Sequence, residues 1–242
     1  MKKTVLITGS SRGIGRETAI LFAKNGFRVV LNCSKSSEEL KALEHILMDM
    51  GADFCSFIKD VAQFENVKEI FDTLNSKSMI PDIIINNAGI SYVGLLQDMN
   101  PIEWRNVIDT NLTSAFNVCK CAIPYFLRNG EGKIINVSSM WGVTGASCEV
   151  AYSASKGGLN TFTRALAKEL APSNISVNAV AFGVVDTSMN GFLDENERRD
   201  LVEEIPAGRM CTPCEAAQII YNTAAFDSYV TGQIITADGG LT

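Results

Sequence analysis

Short apolar runs closed by turn residues alternate with amphipathic stretches from one end of this chain to the other. Thr4 to Thr8 has the length and β-branched content of a buried strand. Apolar residues at helical spacing then run from about Ile14 to Asn25 and stop at Gly26. Phe27 to Asn32, Asp53 to Ile58, Ile83 to Asn86, Lys133 to Ser138, Ser176 to Ala181 and Gln233 to Thr236 read as further strands. Between them the pattern predicts a helix opened by a Ser36/Glu39 capping box and ending near Gly51. It also predicts helices at about Val67 to Leu74 and Trp104 to Phe126, and one carrying Tyr152 and Lys156. This alternation predicts an α/β fold, a doubly wound parallel sheet of about seven strands with helices on both faces. No linker, repeat or low-complexity segment divides the 242 residues, so a single domain is expected. In such sheets ligands sit beyond the carboxyl ends of the strands, where strand order reverses, so the residues just after each strand carry the candidate chemistry.

Composition narrows the partners. A net charge of -6 argues against a nucleic-acid binder, which would present a basic face. No run approaches a membrane span. Met1-Lys-Lys resembles the start of an export signal, but its apolar run, Val5-Leu-Ile, is broken by Gly9-Ser-Ser-Arg12. Seven cysteines without repeating spacing read as reduced thiols of a cytoplasmic protein. Cys211-Thr-Pro-Cys214 is the one ligand-spaced pair; with His45 the sole histidine and no second such pair, no metal site is expected. The single histidine also removes most Ser/His and Cys/His hydrolase schemes.

The stretch Tyr152-Ser-Ala-Ser-Lys156 sets a phenol and an ammonium one helical turn apart, with Ser139 thirteen residues upstream. A nearby cation favours phenolate, so the tyrosine pKa is expected to fall from about 10 and the pair to serve as general acid or base. Alone, the pair is equally a helix-surface feature. After the first strand, Thr8-Gly9-Ser10-Ser11-Arg12-Gly13-Ile14-Gly15 opens directly into a helix, the arrangement that lets backbone amides approach a pyrophosphate. The second strand ends Leu31-Asn32-Cys33-Ser34-Lys35, without the acid that would hold a ribose 2'-hydroxyl. Asn32, Ser34 and Lys35 with Arg12 instead suit a 2'-phosphate, which predicts NADPH in preference to NADH; the bland alternative is that Lys35 and Arg12 are solvated charges. Glu38 and Glu39 fall in the first turn of the next helix, where they suit its dipole. Asp60-Val61 follows the third strand, placed to accept from an adenine amino group. Asn86-Asn87-Ala88-Gly89 follows the fourth, with small residues that let a nicotinamide ribose lie close.

Together these residues resemble the classical short-chain dehydrogenase/reductase family. The family's TGxxxGxG is Thr8 to Gly15, its NNAG is Asn86 to Gly89, its helix asparagine is Asn111, its serine is Ser139 and its YxxxK is Tyr152 to Lys156. The resemblance runs from residue 4 to Ala237-Asp-Gly-Gly240 and implies a single-domain Rossmann fold. It implies that a substrate carbonyl lies between Ser139 and Tyr152, accepts hydride from the nicotinamide and takes its proton from Tyr152. Lys156 would bind the nicotinamide ribose and Asn111 would hold a water leading from Lys156 to solvent. Ser138 competes with Ser139, and the family spacing to the tyrosine selects Ser139. Gly183, Val185 and Thr187 would meet the carboxamide, although Phe182 stands where the family usually has proline and so loses a fixed φ.

Within the family the chain is most similar to 3-oxoacyl-[acyl-carrier-protein] reductases, which implies fatty acid biosynthesis, a substrate carried on acyl carrier protein or CoA, and a homotetramer. The tetramer would pair the Trp104 to Phe126 and Tyr152 to Leu170 helices. The arginines with which those enzymes grip the carrier are absent: the corresponding places read Asn129-Gly130-Glu131 and Pro172-Ser173-Asn174, with only Arg128 nearby. Trp141 and Glu149 would line a bounded, partly polar substrate pocket, with Trp141 alternatively a core residue. The segment 188–210 would form a substrate lid whose Leu193, Leu201, Val202 and Ile205 could equally cover a subunit interface. Reduction of a 3-oxoacyl thioester is the leading reading. An alcohol or ketone dehydrogenase acting on steroids, sugars or small ketones comes second, and a non-catalytic NADP(H)-sensing protein third.

Overall fold

The computed structural model describes residues 2–191 and 193–242; Met1, the first residue of the export-signal comparison, and Phe192 of the lid lie outside the described residues. Strands β1 (Thr4–Ile7), β2 (Arg28–Cys33), β3 (Phe54–Ile58), β4 (Ile83–Asn86), β5 (Gly132–Ser139), β6 (Ile175–Phe182) and β7 (Ile234–Ala237) form one parallel sheet in the order β3-β2-β1-β4-β5-β6-β7. Strand order reverses between β1 and β4, which pair with Ile7 opposite Ile85.

Alternation along each strand divides the core into two layers. Val5, Ile7, Val29, Leu31, Ile83 and Ile85 point to the side covered by α1 (Gly13–Lys24), α2 (Ser37–Asp49) and α9 (Pro213–Ala225). Leu6, Val30, Ile84, Ile134 and Val177 point to the side covered by α3 (Phe64–Ser76), α5 (Ser114–Asn129) and α7 (Val150–Leu170). Both faces being buried explains why the strands read as continuous apolar runs.

Two local readings change, and a third segment gains a structure. The Ser36 side chain makes no cap bond, so no capping box opens α2; Glu38 and Glu39 do sit in its first turn and suit the dipole. The expected helix from Trp104 to Phe126 is two helices, α4 (Pro101–Ile108) and α5, joined by a π turn at Asp109–Thr113. That wide turn holds Asn111, whose amide is bonded to the loop after β4; the pull is tertiary and leaves no mark on the helical pattern. Finally, Cys211-Thr-Pro-Cys214 is the start of a helix: Thr212 is the N-cap of α9, Pro213 its first residue and Glu215 completes a capping box. Cys211 and Cys214 are free thiols, and among the described residues no three His, Cys, Asp or Glu side chains group as metal ligands.

Phe182 ends β6 opposite both Ser139 and Ala237, and its carbonyl accepts from the Met140 N–H at 2.8 Å. Pairing on both sides thus restrains the segment where a proline would have fixed φ. Among the described residues no helix is long and apolar enough to cross a membrane.

Candidate active site

A cleft of about 800 Å³ runs along the carboxyl ends of the strands on both sides of the β1/β4 reversal. At one end lies the glycine loop, Gly9 to Ile14. Gly9 has φ +62, and a Cβ there would come within 2.9 Å of the Ala88 backbone, so only glycine admits this approach of the two loops. They are also tied by hydrogen bonds: the Asn87 and Ala88 N–H groups each donate to Thr8 Oγ1 at 3.0 Å, and Asn87 Nδ2 donates to the Thr8 and Gly9 carbonyls at 2.9 and 3.0 Å. Arg12, exposed, is the N-cap of α1 and contributes to the cleft wall.

Gly9, Ser11, Arg12, Gly13, Ile14, Asn32, Ser34, Asp60, Val61, Asn87, Ala88, Gly89, Gly183, Val185 and Thr187 all line this cleft, as do Ser139, Trp141, Glu149, Tyr152 and Lys156. Gly15, Lys35 and Asn111 do not. Gly15 packs beneath the loop, and Lys35 is exposed outside the wall. Asn32 reaches the cleft, but its side-chain amide is occupied, donating to the Phe57 and Lys59 carbonyls at 3.3 and 2.9 Å. Cys33, the last residue of β2, and Ser36, in the turn after it, line the cleft beside Ser34, and neither carries a charge or motif position that marks it in the sequence.

At the other end, β5 delivers two serines with different partners. Ser138 Oγ donates to Asn160 Oδ1 at 2.6 Å, tying the strand to α7. Ser139 Oγ accepts from the Trp141 N–H at 3.2 Å and lies close enough to the Tyr152 hydroxyl to lower its pKa. A second tie lies one layer deeper, where Asn136 accepts from Asn86 at 2.9 Å and donates to Thr163 Oγ1 of α7 at 2.8 Å. Trp141 follows β5, half-buried, in the short helix α6 (Trp141–Thr144).

Lys156 is 4% exposed, and its Nζ donates to the Val137 carbonyl at 2.8 Å. Burial lowers its pKa to about 8. Burial likewise raises the Tyr152 phenol to about 12; the Ser139 hydroxyl pulls it down and the Glu149 charge pushes it up. The expectation of a lowered tyrosine is therefore corrected. The ammonium is turned to the Val137 carbonyl, 5.7 Å from the Tyr152 ring centre, and desolvation of the phenol is the larger effect.

Asn111 is buried. Its Oδ1 accepts from the Ile90 N–H at 2.8 Å, and its Nδ2 donates to the Ile90 carbonyl and to Ser155 Oγ, both at 2.9 Å. Ser155 Oγ donates in turn to the Tyr152 carbonyl at 2.7 Å. Ser155 was not singled out by sequence reasoning although it sits inside the Tyr/Lys motif; it faces away from the cleft, bracing Asn111 against the first turns of α7. With both amide protons engaged, only a lone pair of Asn111 Oδ1 remains to accept from a water. A Cβ on Gly89 would lie 3.4 Å from both Asn111 Oδ1 and Lys156 Nζ, so glycine there leaves the two groups a common approach.

The segment after β6 lines one side of the cleft. Thr187 caps a short turn, and α8 (Glu195–Glu204) opens with an Asp194/Glu197 capping box. Arg198 pairs with Asp186 at 2.7 Å, and Leu193 and Leu201 face the cleft while Ile205 is buried.

The family model described as short chain dehydrogenase matches residues 3–198. The chain belongs to the short-chain dehydrogenase family. It is thus an oxidoreductase, of a family that uses a nicotinamide cofactor. It is 39% identical over 240 residues to a 3-oxoacyl-[acyl-carrier-protein] reductase of Thermotoga maritima, covering 99% of this chain and 97% of the relative. It is 37% identical over 243 residues to an uncharacterized oxidoreductase of Bacillus subtilis, covering 99% of each. A crystal structure from Agrobacterium tumefaciens, provisionally described as a gluconate dehydrogenase, superimposes with a TM-score of 0.94 at 33% identity, covering 99% of this chain and 95% of that one.

Proposed function

We propose that this short-chain dehydrogenase is an NADPH-dependent ketoreductase that converts a ketone to a secondary alcohol, with a 3-oxoacyl thioester as its leading substrate. The observation that carries this reading is the meeting of the Ser139 and Tyr152 hydroxyls above buried Lys156, in one cleft with the glycine loop. The groove fits a dinucleotide: the Gly9 approach to Ala88 leaves backbone where a side chain would stand, and the N-terminus of α1 offers free amides to a pyrophosphate. Arg12 on the wall, and the absence of an acid from Leu31 to Lys35, favour a 2'-phosphate, so NADPH over NADH.

The nicotinamide, when bound, supplies hydride to the carbonyl carbon. Ser139 donates to the carbonyl oxygen where negative charge develops. Tyr152, protonated at neutral pH, gives its proton to that oxygen. Asp60, Val61, Asn87, Ala88, Gly89, Gly183, Val185 and Thr187 would hold the dinucleotide along the strand ends, and Lys156 the ribose hydroxyls. The segment 188–210 would act as lid.

Acyl carrier protein or CoA is the expected carrier, by analogy with the Thermotoga relative. The second reading, an alcohol or ketone dehydrogenase acting on steroids, sugars or small ketones, is favoured by the Ser91 hydroxyl donating to Glu149 Oε2 at 2.8 Å in the pocket wall. A screen of acetoacetyl-CoA against a panel of small ketones, followed by coenzyme absorbance with NADPH and then NADH, is expected to give the highest kcat/KM with acetoacetyl-CoA and NADPH. A small ketone as best substrate would favour the second reading, and equal turnover with NADH would refute the coenzyme preference. Exposed Ile102, Phe116 and Leu127 on α4 and α5 support a homotetramer. Sedimentation is expected at four times the chain mass; a stable monomer would refute it.

A further inference from the structure

Two loops wall the cleft beyond Tyr152, and they are joined twice. The Gly94 N–H donates to the Cys148 carbonyl at 2.8 Å, and Ser91 Oγ donates to Glu149 Oε2 at 2.8 Å. Glu149 is half-buried at the N-cap of α7 and makes no side-chain cap bond, so its carboxylate belongs to the cleft rather than to the helix end. Val93, Trp141, Met189, Leu193 and Leu201, which line the same cleft, carry no charge. The other charged side chains lining the cleft, among the described residues, are elsewhere. Arg12 and Asp60 stand at the glycine-loop end, and Lys156 is buried with its amine on the Val137 carbonyl. A carboxylate with no cation facing it repels an anion that enters the same cleft, and salt screens a half-buried charge less than a fully exposed one.

We infer that Glu149, held by Ser91, is a specificity-determining residue that selects neutral carbonyl substrates and rejects those bearing a carboxylate near the reacting ketone. The inference rests on the ketoreductase reading and names the substrate class of that site: esters, thioesters, amides and neutral hydroxyketones, against 3-oxo acids and sugar acids.

The test compares ethyl acetoacetate with acetoacetate, one acyl skeleton differing in charge, using NADPH and the intact protein. For the wild type the ratio of kcat/KM, ester over acid, is expected to be at least ~30, and in Glu149→Gln it should fall by about tenfold, roughly the effect of 1.4 kcal/mol. Taking the ratio within each protein cancels any change the variant makes at Tyr152. A wild-type ratio near one, or a ratio unchanged in Glu149→Gln, overturns the inference while leaving the ketoreductase reading standing. Failure of the wild type to reduce either compound or acetoacetyl-CoA overturns both. Should Glu149→Gln not fold, competition in the wild type decides: butyramide is expected to inhibit at concentrations at least ~10-fold lower than butyrate, and equal inhibition overturns the inference.

Discussion

Replacing Tyr152 with phenylalanine is expected to lower kcat by about three orders of magnitude while NADPH binding is retained. Phenylalanine keeps the ring and its packing and removes one oxygen. That oxygen carries the proton: with burial raising the phenol to about 12, it is protonated at any working pH and acts as an acid. A positioned general acid contributes typically 10²- to 10⁴-fold, and Ser139 loses the polar neighbour it faces across the cleft. The measurement is turnover at saturating ketone beside a fluorescence titration of NADPH. Turnover within about tenfold of wild type would refute the assignment of proton donor. A loss of turnover caused only by lost coenzyme affinity would move Tyr152 from the chemistry to binding.

Lys156→Met is expected to reduce kcat/KM by about 10³-fold and at the same time to raise the melting temperature. The lysine is 4% exposed, and burial lowers its pKa from 10.5 to about 8. The unfolded chain therefore holds its proton more tightly than the folded one between about pH 8 and 10.5, and stability rises with pH across that window. Below about pH 8 the folded protein carries the full cost of a buried ammonium, offset in part by the bond to the Val137 carbonyl. Methionine has similar bulk and no charge, so the gain at neutral pH is of order 1–2 kcal/mol after that bond is lost, or about 4 °C in a chain of this size. Calorimetry at pH 7 and pH 10 checks both sign and window: the variant's advantage should shrink at the higher pH. A lower melting temperature at pH 7 would mean that the Val137 contact outweighs desolvation.

Much of this was legible in the sequence because it is local. Thr4 to Ile7 and Ile83 to Asn86 are apolar over a strand's length, and a parallel sheet covered on both faces produces runs of that kind. The glycine loop was legible because its turn, its close approach and the helix behind it all follow one strand. What escaped depends on tertiary contacts. The π turn at Asn111 exists because the side chain is bonded to Ile90, a residue from another element. Ser36 had the spacing of a cap but no bond to make it one. Asn32 stood at the right strand end, yet its amide is taken by β3 and the residue after it. The sign of the Tyr152 shift was misjudged because pairing with Lys156 can be read from spacing, whereas desolvation is known only when the surroundings are.

The bonds from Asn136 to Thr163 and from Ser138 to Asn160 fix both the rotation and the axial height of α7 against β5. Thr163 lies about three turns beyond Tyr152, on the same face of the helix. Proton-transfer geometry, in which an error of 1 Å can be costly, is thus gauged from the sheet side. The loops around Ser91 and Glu149 are joined to each other by two bonds, and the second loop also leans on α7, where the Ala146 N–H donates to Ser153 Oγ at 3.1 Å. The sheet thus sets the height of α7 from behind, while the pocket loops meet the same helix at its first turn through Glu149 and Ser153, so exchanging those loops is felt at Tyr152 even where the sheet contacts hold.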